Sequence, residues 1–233
     1  MRSFHFKHFS ILHNEHSLPV GTDAMMLGTL VQHESPKRIL DAGAGCGVLG
    51  LMMAQRFPKA EITCIELDVK AADECYKNVE SSPFRERIKV IQGDLLAPFT
   101  SEFDLIVSNP PYYFTDNSSS QRNNTQKHST TEEFSAWIRA CYALLAPFGT
   151  FCMIYPHNQE HAITALTSAN KFHEQTRHVL LNQHQHAVRI ISAYTKQVSQ
   201  RIETNFSLRN QDGTYSDSYI ELTKEFHAKT PLR

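Results

Sequence analysis

The stretch Arg38-Ile39-Leu40-Asp41-Ala42-Gly43-Ala44-Gly45-Cys46-Gly47, with the apolar-rich run Val48 to Phe57 behind it, decides the fold. A short aliphatic run enters a turn with glycine at alternate positions, and the run that leaves it reads as a helix until Pro58 stops the pattern. That is strand, loop, helix. Glycine at 43, 45 and 47 lets the backbone pass close to a ligand where a Cβ would intrude. Ile62, Thr63, Cys64 and Ile65 form a second short strand, and Asp68 is placed to cap a helix from Lys70 to Val79.

The same alternation continues downstream. Ile88 to Ile91 reads as a third strand, Phe103 to Ser108 as a fourth and Gly149 to Tyr155 as a fifth. Strands separated by helices predict an α/β fold: a mostly parallel sheet with helices on both faces. Before the fifth strand, Thr130-Thr131-Glu132-Glu133 forms a capping box, and Phe134, Trp137, Ile138, Cys141, Tyr142 and Leu145 follow at helical spacing. Pro147 and Gly149 are expected to end that helix. Trp137 lies on its apolar stripe, which favours core packing over a base-stacking role. Residues Thr115 to Thr131, almost purely polar, predict a mobile loop beside the site. After Pro156 come a helix around Glu160 to Ala169 and apolar runs at Val179 to Leu181 and Val188 to Tyr194. Asp212-Gly213 is a turn signal, and Tyr219 to Leu222 is expected to be a last strand. No internal repeat or linker divides the chain, so residues 1–233 read as one domain.

Bulk properties narrow the function. A chain of 233 residues with 41% hydrophobic content can bury a sizeable core. A formal charge of -1 gives no global positive field, so a polyanionic partner must be held by a local patch. Five cysteines with no C-x-x-C fit a reduced compartment, and the opening MRSFHFKHFS has no apolar leader run, so a cytoplasmic protein outside the membrane is expected. His5, His8 and His13, or His184 and His186, lack the partners of a familiar metal site, and no metal is expected.

Chemistry gathers at the strand ends. The spacing D-x-G-x-G-x-G differs from the nicotinamide turn G-x-G-x-x-G. Asp41 sits beside the glycines. Glu66, about 20 residues beyond the turn, is placed to accept from both hydroxyls of a ribose. Asp94, in Gly93-Asp94-Leu95, stands at the end of the third strand. A ligand with a sulfonium cation, an amino acid end and a ribose suits such acids. The fourth strand runs into Asn109-Pro110-Pro111-Tyr112, where two prolines fix two φ angles and leave carbonyl acceptors on a rigid loop. Acceptors there could take the two hydrogens of a conjugated amino group, a poor nucleophile whose lone pair is drawn into its ring. Tyr112 would stack on the planar group.

From about residue 20 to residue 156 the chain resembles the class I, Rossmann-like methyltransferases. The resemblance implies a Rossmann-like, seven-stranded, mostly parallel sheet and S-adenosylmethionine as cofactor, with its methionine part at Gly43, Gly45 and Gly47, its ribose at Glu66 and its adenine at Asp94 and Leu95. Asn109 is expected to contact the cofactor as well as the target. Asn109-Pro110-Pro111-Tyr112 resembles the motif of methyltransferases acting on adenine N6, cytosine N4, guanine N2 and glutamine amide. Phe6-Lys7-His8-Phe9, Val20 to Gly28, and the closing segments Asp212 to Ser216 and Tyr219 to Phe226 resemble the bacterial tRNA1(Val) adenine-37 N6-methyltransferases. This resemblance implies that Thr22 and Asp23 pack over the methionine end, with residues 1–35 covering the cofactor, 36–156 as the catalytic core and 157–233 closing the sheet. It implies a tRNA substrate, with no obligate protein partner evident.

Alternatives stay open. A release-factor glutamine methyltransferase normally has a helical domain before its glycine turn, whereas only about forty residues precede this one. A ribosomal guanine N2 enzyme typically carries a duplicated domain. A noncatalytic scaffold would have no need of the intact Asn-Pro-Pro-Tyr run. For tRNA, Lys7, Lys37, Arg38, Arg122, Lys127, Arg201, Arg209, Lys224, Lys229 and Arg233 could supply a basic rim.

Overall fold

The computed structural model describes residues 2–13, 20–99, 101–110, 113–114 and 128–228. The chain opens with an antiparallel hairpin of β1 (Arg2–His5) and β2 (Ser10–His13). Then come α1 (Thr22–Leu30), β3 (Arg38–Ala42), α2 (Val48–Arg56), β4 (Glu61–Glu66), α3 (Val69–Glu80), β5 (Ile88–Gln92) and β6 (Phe103–Ser108). A parallel pair of two-residue strands, β7 (Tyr113–Phe114) and β8 (His128–Ser129), precedes α4 (Thr131–Leu144). The remainder is β9 (Leu145–Pro156), α5 (Glu160–Ala169), β10 (His173–Leu181), β11 (Ala187–Thr195), β12 (Ile202–Ser207) and α6 (Asp217–Thr223).

The main sheet has the order β12-β10-β11-β9-β6-β3-β4-β5. β3, β4, β5, β6 and β9 run parallel, β11 is antiparallel to both β9 and β10, and β12 is parallel to β10. From β3 the chain moves one way, through α2 to β4 and α3 to β5, and from β6 it moves the other way through α4 to β9. Right-handed crossovers in opposite directions put α2 and α3 on one face and α4 on the other. The central strands are therefore covered twice, which is why β3, β6 and β9 contain unbroken buried runs such as Phe151 to Tyr155. The point where strand order reverses lies between β3 and β6, and their carboxyl ends open the crevice in which such sheets bind ligands.

Local signals account for most boundaries. The Asp68 carboxylate caps α3, accepting from Lys70 N at 3.1 Å and Ala71 N at 3.0 Å. Thr130 and Glu133 close a reciprocal capping box on α4. Trp137 stacks on Phe134 and meets Phe151 edge-on, so it packs against the core.

Three expectations are corrected. Tyr219 to Leu222 is helix rather than strand: Ser216 Oγ accepts from Tyr219 N at 3.0 Å, and Tyr219 and Thr223, one turn apart, are its buried face. The sheet has eight strands rather than seven, because the edge strand β12, largely exposed, lacks the apolar alternation that marks a strand. Helix α4 stops at Leu144, and β9 begins at once and runs through Pro147 and Gly149. A register shift against β6 between Phe103 and Leu105 accommodates those two residues.

Candidate active site

The glycine turn follows β3 with φ of +75° at Gly43, +55° at Gly45 and +84° at Gly47, the left-handed region in which L side chains are strained. Gly43 N and Ala44 N both donate to Ile65 O at 2.9 Å, tying the turn to the next strand. A Cβ built on Gly43 or Gly45 meets nothing within 4 Å, so both look into open space, whereas one on Gly47 would lie 2.7 Å from Cys75 Sγ. The first two glycines thus form a cradle that side chains would fill, and the third is required by packing against α3.

Asp41 is buried, and its Oδ2 accepts from Gly50 N at 2.8 Å in the first turn of α2. Its Oδ1 has no hydrogen-bond partner among the described residues. Burial pushes its carboxyl up to about 7; the Gly50 N–H opposes that rise and the charge of Glu66 adds to it. Asp41 therefore anchors the helix behind the glycine turn.

Glu66 ends β4 and is nearly buried. Its Oε2 accepts from Gly45 N and its Oε1 from Asp68 N, both at 2.9 Å. A carboxylate has about four lone-pair positions, so two remain for a diol. Register aligns the acids, since Asp41 pairs with Cys64 and Glu66 pairs with Gln92. Asp94 lies just past the end of β5 rather than within it, is exposed, and accepts from Leu96 N at 2.9 Å. Leu95 is buried in the core, and Leu96 beside it is the exposed side chain.

Thr22 and Asp23 open α1. Asp23 Oδ2 accepts from Arg189 Nε at 2.8 Å, and Arg189 pairs in the sheet with Pro156 at the carboxyl end of β9. The start of α1 is thereby fixed over the same edge of the sheet. The residue reading missed this helix because Ala24, Met25, Met26, Leu27, Gly28 and Leu30 are all buried, which leaves no polar face to reveal the period.

Asn109 and Pro110 follow β6 directly; Asn109 is half-buried and Pro110 buried. Val107, two residues earlier, pairs with Asp41, and Ser108 Oγ donates to Ala42 O at 2.5 Å. Asn109 and the glycine turn thus leave neighbouring strands at one level. Pro111, Tyr112 and residues 115–127 of the polar run Thr115 to Thr131 lie outside the described residues, and the end of that run is β8 and the capped start of α4 rather than loop. Among the described residues no group of three or more His, Cys, Asp or Glu could hold a metal, and no helix is long and apolar enough to cross a membrane.

Residues 9–162 match the family model described as the methyltransferase small domain. The chain is 32% identical over 230 residues to a protein of Tolumonas auensis named tRNA1(Val) (adenine(37)-N6)-methyltransferase, covering 97% of each. A protein of the same name from Vibrio campbellii is 33% identical over 232 residues, with 98% of this chain and 96% of that one covered. The chain belongs to the tRNA1(Val) (adenine(37)-N6)-methyltransferase family. Among solved structures, one of a protein described as a predicted O-methyltransferase from Agrobacterium tumefaciens superposes with a TM-score of 0.69 at 22% identity, covering 89% of this chain and 98% of that one. At that identity the likeness speaks to the fold alone.

Within this tRNA1(Val) methyltransferase family member, the expected basic rim is unevenly distributed. Lys7 pairs with Glu225 at 3.0 Å, Lys224 with Glu221 at 2.5 Å, and Arg201 with Glu174 at 3.2 Å and Glu203 at 3.3 Å. Lys37 and Arg38 stand at the amino end of β3, the edge opposite the glycine turn. Arg209 lies over the Tyr215 ring at 4.3 Å, past the carboxyl end of β12. Arg122, Lys127, Lys229 and Arg233 fall outside the described residues.

Proposed function

We propose that this chain transfers the methyl group of S-adenosylmethionine to N6 of adenine 37 in the anticodon loop of tRNA1(Val). The observation that carries the reading is near full-length likeness to enzymes named for that reaction. It is joined by an Asn-Pro-Pro-Tyr run that begins at the carboxyl end of β6, level with the glycine turn. We take the chain as one working domain that acts in the cytoplasm on RNA.

S-Adenosylmethionine, when bound, supplies a methyl group activated on a sulfonium sulfur. The residues present fit such a group. Gly43 and Gly45 face open space, Glu66 keeps lone pairs for a ribose, and exposed Asp94 can accept from an adenine amino group. Thr22 and Asp23 are assigned to the methionine end, with Gly47 and Asp41 setting the turn beneath it.

The target nitrogen is weakly nucleophilic because its lone pair is delocalised. The Asn109 side-chain oxygen and the Pro110 carbonyl are assigned to accept its two hydrogens, drawing it toward tetrahedral geometry and orienting its lone pair. Pro111 is assigned to stiffen the loop and Tyr112 to stack on the base. No strong base is required, since the proton leaves after the nitrogen becomes cationic. A nucleotide in an anticodon loop is already unpaired, so splaying it costs less than flipping it from a duplex. A modest basic patch then suffices.

Asn109→Ala separates chemistry from binding. Calorimetry should give a Kd for S-adenosylmethionine that changes far less than kcat, which falls by roughly 10²-fold, the scale of losing one oriented hydrogen-bonding group in a transition state. Turnover at the wild-type rate would remove Asn109 from the reaction.

A further inference from the structure

Asn78 lies within α3 and is fully buried. Asparagine is a mediocre helix former, and a buried amide costs stability unless its polar atoms are met. Here they are. Oδ1 accepts from Leu12 N at 2.8 Å, and Nδ2 donates to Leu12 O and to Cys46 O, both at 2.9 Å. The two bonds to Leu12 copy the exchange between facing residues of an antiparallel ladder, so one side chain acts as an extra strand neighbour for β2. The third bond holds the carbonyl that lies between Gly45 and Gly47.

Two segments distant in sequence are therefore fixed by one amide. The first is the hairpin, whose chain continues toward Thr22. The second is the glycine turn, whose Gly45 N–H also binds Glu66. On its other side the hairpin is tied to the C-terminal segment, Lys7 N donating to Phe226 O, but toward α3 it is otherwise held by ring packing, Phe9 lying edge-on to Phe84, which tolerates sliding more readily than paired hydrogen bonds do. Toward α3 the amide sets the register.

On the reading of the glycine turn as the S-adenosylmethionine cradle, we propose that Asn78 is a positioning residue for the cofactor. It locks the N-terminal hairpin and the turn together, so that hairpin order and cofactor affinity rise and fall as one. Linkage makes the effect reciprocal: cofactor must steady the hairpin by the factor that the ordered hairpin adds to affinity.

The test combines calorimetry with S-adenosylmethionine and S-adenosylhomocysteine, steady-state kinetics, and hydrogen exchange on the full chain. In the wild type, either ligand should slow exchange at Leu12 and its hairpin neighbours. Asn78→Ala should raise both Kd values by about 5-fold or more, the lower end of ordinary coupling between sites. Its cofactor KM should rise, with kcat at saturating cofactor and the KM for tRNA unchanged. Asn78→Asp, which keeps the acceptor for Leu12 N but loses both donors, should lose at least as much. A folded Asn78→Ala with wild-type affinity overturns the proposal, as does wild-type hairpin exchange that ignores ligand. The second measurement decides even if the variants fail to fold. Wild type that binds neither ligand would instead overturn the cofactor reading beneath it.

Discussion

Asp41 shows how one residue type at one place carries two consequences. Its folded carboxyl sits at about 7 against an ordinary 3.8, so between those values the folded chain holds a proton that the unfolded chain has lost. The stability this contributes is full below the unfolded value and disappears as pH rises through about 7. Thermal midpoints of the ligand-free protein should therefore fall from pH 5 to pH 8, and Asp41→Asn should flatten that fall. Parallel slopes for the two proteins would show that Asp41 does not titrate in this range. An acid beside a glycine turn was legible in the residues. Its engagement by Gly50 was not, because nothing in the sequence says which backbone N–H the carboxylate meets.

At the scale of elements, the β3 to α2 turn predicts opposite outcomes for two glycines. Both adopt left-handed backbone, so alanine costs about 1–2 kcal/mol of strain at either. At Gly47 the new methyl also strikes Cys75 Sγ, at 2.7 Å, and that buried side chain must give way. Gly47→Ala should therefore lower the denaturation midpoint more than Gly45→Ala. Gly45→Ala, opening onto free space, should chiefly weaken S-adenosylmethionine binding. Titration calorimetry beside urea melts separates them, and equal losses of stability with intact binding at Gly45 would refute the cradle. Alternating glycines and the strands at 61–66 and 103–108 were readable because composition and spacing are local signals. Tyr219 to Leu222 misled because a four-residue apolar run has no period of its own, and Ser216, which settles it as α6, lies outside the run. β12 escaped because an edge strand needs no apolar alternation.

For the whole molecule, the two ends meet. Lys7 N donates to Phe226 O at 2.8 Å, Phe6 bridges to His227, and the Phe6 and Phe226 rings meet edge-on. The two terminal stretches that resemble the tRNA enzymes thus form one structure, which sequence reading could list side by side but not join. Phe226 is buried, and Phe226→Ala should cost about 3–5 kcal/mol, with hairpin exchange rising before that of the sheet. A loss under about 1 kcal/mol, far below that scale, would mean that the ends do not support each other.

The most direct measurement of the central claim is transfer of labelled methyl from S-adenosylmethionine to unmodified tRNA1(Val), with total tRNA, ribosomal RNA and release factor in parallel. Nucleoside analysis should follow. Label recovered as N6-methyladenosine from position 37, and abolished when that adenine is replaced, is the predicted result. Label on protein alone, or on RNA at a guanine, would contradict it.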